Sequence, residues 1–367
     1  MISSVHIEGY RGFQSFDMSS LGRVNLLVGT NNSGKTSVLE ALHLLTTRGD
    51  PMSLWQVLWR RGERIPGGNP RRPQAELDVS HLFTGHDAHI GSKFVVSATN
   101  QIPGRSLSIA IAEYTQPRQR NDRTPEQEGL PPGLVLHIKG TPAPLIGTVP
   151  LTRTLGILSD VLETPQRFRR RNAEDNASQF ITSESLDSDD LISMWDRISL
   201  SRSEDLVLKA LRFLDCDIER IAAQATTQTY YGTAFRGGFI VKVKSHEQPI
   251  PIGSFGDGMW RLLAMAVAIS QCAGGVLLVD EVDTGLHYTV LPDMWRLIME
   301  SARSLDVQVF ATTHSSDCIQ ALADACASDK LLSDSTTLQR VERKSDKSVS
   351  YSGLEIQRAA DKRVEVR

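Results

Sequence analysis

Three short apolar runs, far apart in the chain, each stop abruptly at a cluster of polar residues. Val24-Asn25-Leu26-Leu27-Val28 is apolar and β-branched and predicts a buried strand. Gly275-Val276-Leu277-Leu278-Val279 and Val307-Gln308-Val309-Phe310-Ala311 predict two more of that kind. Behind the first run, Val38, Leu39, Leu42 and Leu45 recur at helical spacing. From about Ala75 to Ala112 the pattern changes to alternating short runs, such as Phe94-Val95-Val96 and Leu107 to Ile111, which predict antiparallel strands. Val5-His6-Ile7 reads as an edge strand, and Phe239 to Val243 as another strand. Leu186 to Leu214 is helical in period, with a boundary at Ser201, where Ser201-Arg202-Ser203-Glu204 fits a capping box. Leu262 to Ile269 predicts an apolar helix, and the lack of a long heptad repeat predicts no coiled-coil arm. The expected fold class is α/β: a mixed sheet core with flanking helices, an antiparallel region and a helical lobe.

The polar clusters change the picture from fold to chemistry. After Val28 comes Gly29-Thr30-Asn31-Asn32-Ser33-Gly34-Lys35-Thr36-Ser37, which meets every fixed position of G-x-x-x-x-G-K-[ST]. Its place between a strand and a helix start is where a phosphate loop belongs. Glycines let backbone N–H groups close around the oxygens, and the helix N-terminus favours negative charge. Asn31, Asn32, Ser33, Gly34, Lys35, Thr36 and Ser37 are the candidate nucleotide contacts, Lys35 reaching the β- and γ-phosphates and Thr36 ligating Mg²⁺. The second run ends in Asp280-Glu281, where Asp280 would hold Mg²⁺ and Glu281 would orient or deprotonate the attacking water. The third ends in Thr312-Thr313-His314-Ser315, and His314 there would sense the γ-phosphate. Gly253-Ser254-Phe255-Gly256-Asp257-Gly258 supplies a further phosphate-ready helix start, although serine and glycine are also ordinary caps. Ahead of the phosphate loop, Tyr10, Arg11 and Phe13 would either stack on the adenine or fill a hairpin core.

Bulk composition narrows the partners. The chain has 367 residues, enough for one elaborate domain or two, and Lys+Arg 40 against Asp+Glu 43 gives a net charge of −3. That balance excludes a molecule-wide field for nucleic acid or an anionic membrane, so DNA or RNA binding would need a local patch. Arg167-Phe168-Arg169-Arg170-Arg171 is the dense basic run available for it, and a solvated helix face or loop is the competing use. Pro117 to Pro132 has the composition of a loop. Cys216, Cys272, Cys318 and Cys326 lack metal-ligand spacing, as do His81, His86 and His89, so no metal is expected at either set. The scattered thiols, the absence of an export signal at Met1 to Glu8 and the shortness of the longest apolar run predict a soluble, cytoplasmic protein.

These blocks, in this order, resemble the ABC-type ATPase heads of the RecF, SMC and OLD group, and small bacterial AAA-family ATP-binding proteins, some of which act in phage defence beside a nuclease. The likeness rests on Ile7-Glu8-Gly9-Tyr10-Arg11-Gly12-Phe13, the phosphate loop, Ser254 to Gly258, Asp280 to Tyr288, and Ala311 to Ser315. It implies ATP and Mg²⁺ as ligands and an ATP-dependent homodimer or higher oligomer. It also implies an effector or nuclease partner, and no membrane. Ser254, Gly256, Asp257 and Gly258 would then act in trans as the signature, Asp283 would lie at the dimer seam, and His314 would be the switch histidine. Phe255 departs from the usual glycine, and the usual Q-loop glutamine is not placed, Gln179 lying near the expected region. The expected organisation is an ATP-binding core at 1–100 and 216–367, an inserted lobe at 101–215, and no Toprim nuclease domain. Two other uses of such a chain are an ATP-binding subunit of a membrane transporter and a scaffold that binds ATP without hydrolysing it.

Overall fold

The computed structural model describes residues 1–65, 76–100, 104–114, 133–141, 145–158, 178–184, 186, 188–224 and 238–362. Two compact units share them, and the chain passes between the units several times. One comprises Met1–Ser20, Thr36–Asp175 and Glu342–Ser348; the other comprises Leu21–Lys35, Asn176–Val341 and Val349–Arg367. These boundaries interleave, whereas the expected segments broke near residues 100 and 215. The Pro117 to Pro132 stretch and the basic run Arg167 to Arg171 lie outside the described residues.

The first unit is built on antiparallel strands. β1 (Ile2–Tyr10), β2 (Phe13–Met18), β5 (Lys93–Asn100), β6 (Arg105–Tyr114), β7 (Gly133–Thr141) and β8 (Leu145–Pro150) form one sheet in the order β2-β1-β5-β6-β7-β8. β4 (Glu76–Asp78) pairs with β9 (Gly156–Leu158) beside it in the same unit. The period-2 pattern read from the sequence sets one face inward: Leu107, Ile109 and Ile111 are buried along β6. β1 is not the edge strand that its short apolar run suggested. β2 folds back along it, with Ile7 opposite Phe16, and covers its outer side. α2 (Pro51–Arg60) starts on Asp50, whose side chain caps Ser53 N–H, with Pro51 at the first helical position.

The second unit is an α/β layer. β3 (Val24–Val28), β10 (Ser178–Ile181), β14 (Val276–Val279), β15 (Gln308–Thr312), β16 (Thr336–Arg340) and β17 (Val349–Ser352) are ordered β10-β14-β15-β3-β16-β17. The first five run parallel, and β17 closes the edge antiparallel to β16. β3, β14 and β15 are buried at every position, as their near-continuous apolar runs, broken by Asn25 and Gln308, require for strands covered on both faces. α1 (Lys35–Thr46) belongs, after Lys35, to the first unit; the helices of this one are α3 (Ser188–Trp195), α4 (Arg202–Leu211), α5 (Asp257–Gln271), α6 (Leu291–Ser304), α7 (Ser316–Ser328), α8 (Lys330–Asp334) and α9 (Gly353–Asp361). A small sheet of β11 (Ile218–Ala223), β12 (Phe239–Val243) and β13 (Ile250–Pro251) completes it.

α5 starts five residues before the expected Leu262 and is buried all round from Met259 to Ile269, at the centre of the core. Trp260 sits edge-on to Phe239 there, 6.2 Å between ring centres, and its indole N–H donates to Leu186 O at 3.2 Å. The cap at Ser201 is shifted from the expected box: Ser201 Oγ accepts from Ser203 N–H, and Glu204 accepts from Leu200 N–H. A complete capping box occurs instead at Ser352 and Glu355. All four cysteines are free thiols, and burial raises those of Cys272 and Cys326 to about 12 and about 11. No described helix is long and apolar enough to cross a membrane.

Candidate active site

In an open parallel sheet the carboxyl ends of the strands form the natural binding edge, because each strand hands over to its connecting loop there. The register brings the three predicted chemical clusters to that edge together. Val279 lies opposite Ala311, and Thr312 lies opposite Leu27, so the ends of β14, β15 and β3 are level. β15 is the middle strand. Its Thr312-Thr313-His314 tip therefore sits between the phosphate loop that follows β3 and the acidic pair that follows β14.

The phosphate loop has the backbone its residues predict. Asn32 and Gly34 adopt positive φ angles of 61° and 103°, which curls successive N–H groups into a concavity suited to an anion. Gly29 is needed for a different reason: a Cβ there would collide with the carbonyl of Val341, beyond the end of neighbouring β16. Lys35 is buried, with Nζ donating to Gly29 O at 2.8 Å and Thr30 O at 2.9 Å. The ammonium thus closes the loop on itself. His314 Nδ1 is 3.4 Å from the same Nζ. Burial lowers the Lys35 pKa to about 8, against the upward pull of Asp280 and Glu281.

The acids are held by side chains that the sequence reading passed over. Thr312 Oγ1 donates to Asp280 Oδ1 at 2.6 Å and accepts from Glu281 N–H at 2.8 Å. Thr313 repeats the arrangement one residue on, donating to Asp283 Oδ1 at 2.6 Å and accepting from Ser315 N–H at 3.0 Å. The signal was in plain view: two hydroxyls closing an otherwise apolar strand. Glu281 takes a left-handed backbone, φ 47°, uncommon for a residue with a side chain. Its carboxylate accepts from Thr284 Oγ1 at 3.1 Å.

Arg261 was missed too. It is the one charged residue after Asp257 in α5, and a lone charge in an apolar helix signals a buried partner. Its guanidinium, 2% exposed, donates to Thr182 O at 2.5 Å, Asp280 O at 2.7 Å and Glu281 O at 2.9 Å. Burial pushes its pKa down to about 10, although Asp280, Asp283 and Glu281 oppose that shift.

The signature candidates occupy the start of the same helix. Ser254, Gly256 and Asp257 are exposed, Gly258 is half-buried, and Gly256 has φ 82° with nothing near its missing Cβ. Gly258 meets the turn after the acids: a Cβ on it would stand 3.0 Å from Gly285 O. Gln179, the Q-loop candidate, lies inside β10 opposite Leu277, two residues short of the strand end. Asp280 and Glu281 offer hard oxygen ligands. Among the described residues no group of three or more His, Cys, Asp or Glu could hold a metal by itself. A donor set of this kind fits Mg²⁺, which is held by one or two carboxylates together with substrate phosphates and water.

Of the two uses expected for Arg11, on the adenine or in a hairpin core, the packing in the first unit favours the second: its guanidinium is buried between Glu40, at 2.8 Å, and Glu63, at 2.6 Å. Tyr10 and Phe13 are buried as well, Tyr10 against Phe94 at 5.0 Å between ring centres. These three residues serve the hairpin core, because carboxylates of the same unit meet the charge that a phosphate would otherwise meet.

The chain is similar to several known proteins. A family profile described as "AAA domain, putative AbiEii toxin, Type IV TA system" matches residues 154–317, and one described as "AAA ATPase domain" matches residues 1–102. The chain is 23% identical over 346 residues to an "ATP/GTP phosphatase" of Helicobacter pylori, covering 88% of this chain and 87% of that one. It is 50% identical over 44 residues to the DNA replication and repair protein RecF of Pseudomonas savastanoi pv. phaseolicola, 12% of each chain. In fold it is similar to an SMC head bound to the C-terminal winged-helix domain of ScpA, with TM-score 0.52 and 12% identity over 96% of this chain and 97% of that one. A second SMC head, bound to a ScpA domain from Pyrococcus furiosus, gives TM-score 0.51 and 10% identity over 99% of each chain.

Proposed function

We propose that the chain is an ABC-type ATPase of the RecF and SMC group, a molecular switch that pairs head to head on ATP and separates on hydrolysis. One observation carries the reading: Lys35, His314, Asp280 and Glu281 meet at one edge of one sheet, with Thr312 bonded to both acids. In the proposed site the loop from Asn31 to Ser37 wraps the phosphates, and Lys35 exchanges its two loop carbonyls for the β- and γ-oxygens. Asp280 and the Thr36 hydroxyl would hold Mg²⁺, which supplies charge neutralisation at the phosphates. Glu281 acts as general base toward water, and His314 reads the γ-phosphate beside Lys35.

The exposure of Ser254, Gly256 and Asp257 supports their use on the ATP of a second copy. The position of Asp283, on the turn that packs against Gly258, supports a place at the same seam. A partner effector belongs to the proposal as well. Two SMC heads of this fold are bound to ScpA domains, and the matching family is described as a toxin–antitoxin one; both favour a protein partner, for which the proposed role is an effector, of nuclease type, in DNA maintenance or phage defence.

Glu281→Gln is the test. General-base removal slows turnover by about 10²- to 10⁴-fold, and the variant should accumulate as an ATP-bound dimer by light scattering. Wild-type turnover in Glu281→Gln would remove Glu281 from the role of base.

A further inference from the structure

Arg261 does more than fill space in α5, and its surroundings have an unusual chemistry. A buried guanidinium is normally met by a carboxylate. Here the three acceptors are backbone carbonyls, and the Nε–H is buried with no hydrogen-bond partner. The acceptors come from two strand ends. Thr182 follows β10; Asp280 and Glu281 follow β14. Burying a charge with no carboxylate bonded to it is costly even with acids nearby, so the arrangement needs a return beyond packing.

The return lies in the peptide that it grips. Glu281 is left-handed, a conformation that persists only where the surroundings over-determine it. Its N–H is held by Thr312 from β15, and its carbonyl is held by Arg261 from α5. The acid is therefore fixed from two sides by two different elements. α5 begins at Asp257, directly after Ser254 and Gly256, and its first turn packs Gly258 against Gly285 on the turn after the acids. The helix that presents the signature loop thus touches the acid segment twice, once through glycines and once through Arg261.

We propose that Arg261 is a positioning residue that couples the signature loop to Glu281, so that engagement of the loop by a second copy's nucleotide sets the geometry of the base in its own chain. This inference rests on the head-to-head reading above. The two sites of a dimer then communicate through α5, each signature loop reporting to an acid that follows it after one helix and one strand in sequence but lies one side chain away in space.

The experiment is a double-mutant cycle on the full chain with Arg261→Lys, Arg261→Met and Glu281→Gln. Arg261→Lys keeps the charge and reaches fewer carbonyls, so it serves if Arg261→Met does not fold. Each folded Arg261 variant should bind a fluorescent ATP analogue within about threefold of wild type. A misplaced base costs about 10²-fold in turnover, and the steepness of the rate against ATP concentration should fall. In the Glu281→Gln background the same change should cost almost nothing, because the group it positions is gone. Multiplying losses across the cycle, or a folded Arg261→Lys with wild-type turnover and steepness, would overturn the coupling alone. Wild-type turnover in Glu281→Gln by itself would overturn the base assignment and the coupling with it.

Discussion

Among the described residues two arginines are buried, one in each unit, and they are held in opposite ways. Arg11 lies between Glu40 and Glu63, and Glu40 also pairs with Arg61 at 2.7 Å. Burial alone would lower the Arg11 pKa, yet beside Tyr10, Glu40 and Glu63 the net shift is upward. Among the described residues Arg261 has carbonyl dipoles alone within hydrogen-bond reach, and burial brings its pKa down to about 10. The first charge is neutralised where it stands and ties β1, α1 and the segment after α2 together. The second is left partly uncompensated at the edge where the acids lie. A charge that is fully paired speaks for architecture, and one kept at a cost beside a reacting group speaks for function.

The sharpest way to break this contrast is to remove the charge in the first unit. Arg11→Met leaves Glu40 and Glu63 facing each other without their shared cation, and breaking a buried pair costs about 3–5 kcal/mol. Chemical denaturation should show that loss, while the folded fraction keeps wild-type ATP affinity. A selective fall in affinity at unchanged stability would return Arg11 to the nucleotide.

A smaller effect follows from Lys35. Its pKa of about 8 lies below the ordinary 10.5, so between those values the unfolded chain binds more protons and this group's contribution to stability rises with pH. ATP binding has the opposite sign. Phosphates favour the ammonium, so above pH 8 binding takes up a proton and affinity should fall by up to about tenfold per pH unit. Calorimetry at pH 8.5 in two buffers of different ionisation enthalpy reads that proton directly. A Lys35 that gives no proton uptake is not titrating in the site.

Smallest is Arg61→Met. Arg61 is a third exposed, and Glu40 keeps Arg11 when it goes, so the loss should stay near or below about 1 kcal/mol. A loss as large as that of Arg11→Met would show that the two arginines act as one unit.

Much of this was legible along the chain. Near-continuous apolar runs identified β3, β14 and β15, and alternation identified the sheet of the first unit, because burial on two faces or one leaves those periods in the sequence. The phosphate loop, the acidic pair and His314 were visible as polar clusters at strand ends, since a strand of about five residues delivers its chemistry to a fixed edge. Local pattern could not say that β2 covers β1, that Arg11 meets Glu40 and Glu63, or that Arg261 reaches the carbonyls of Asp280 and Glu281. Each of those depends on residues tens of positions apart becoming neighbours. Periodicity records which side of an element is buried, and only the closed tertiary structure decides what it is buried against.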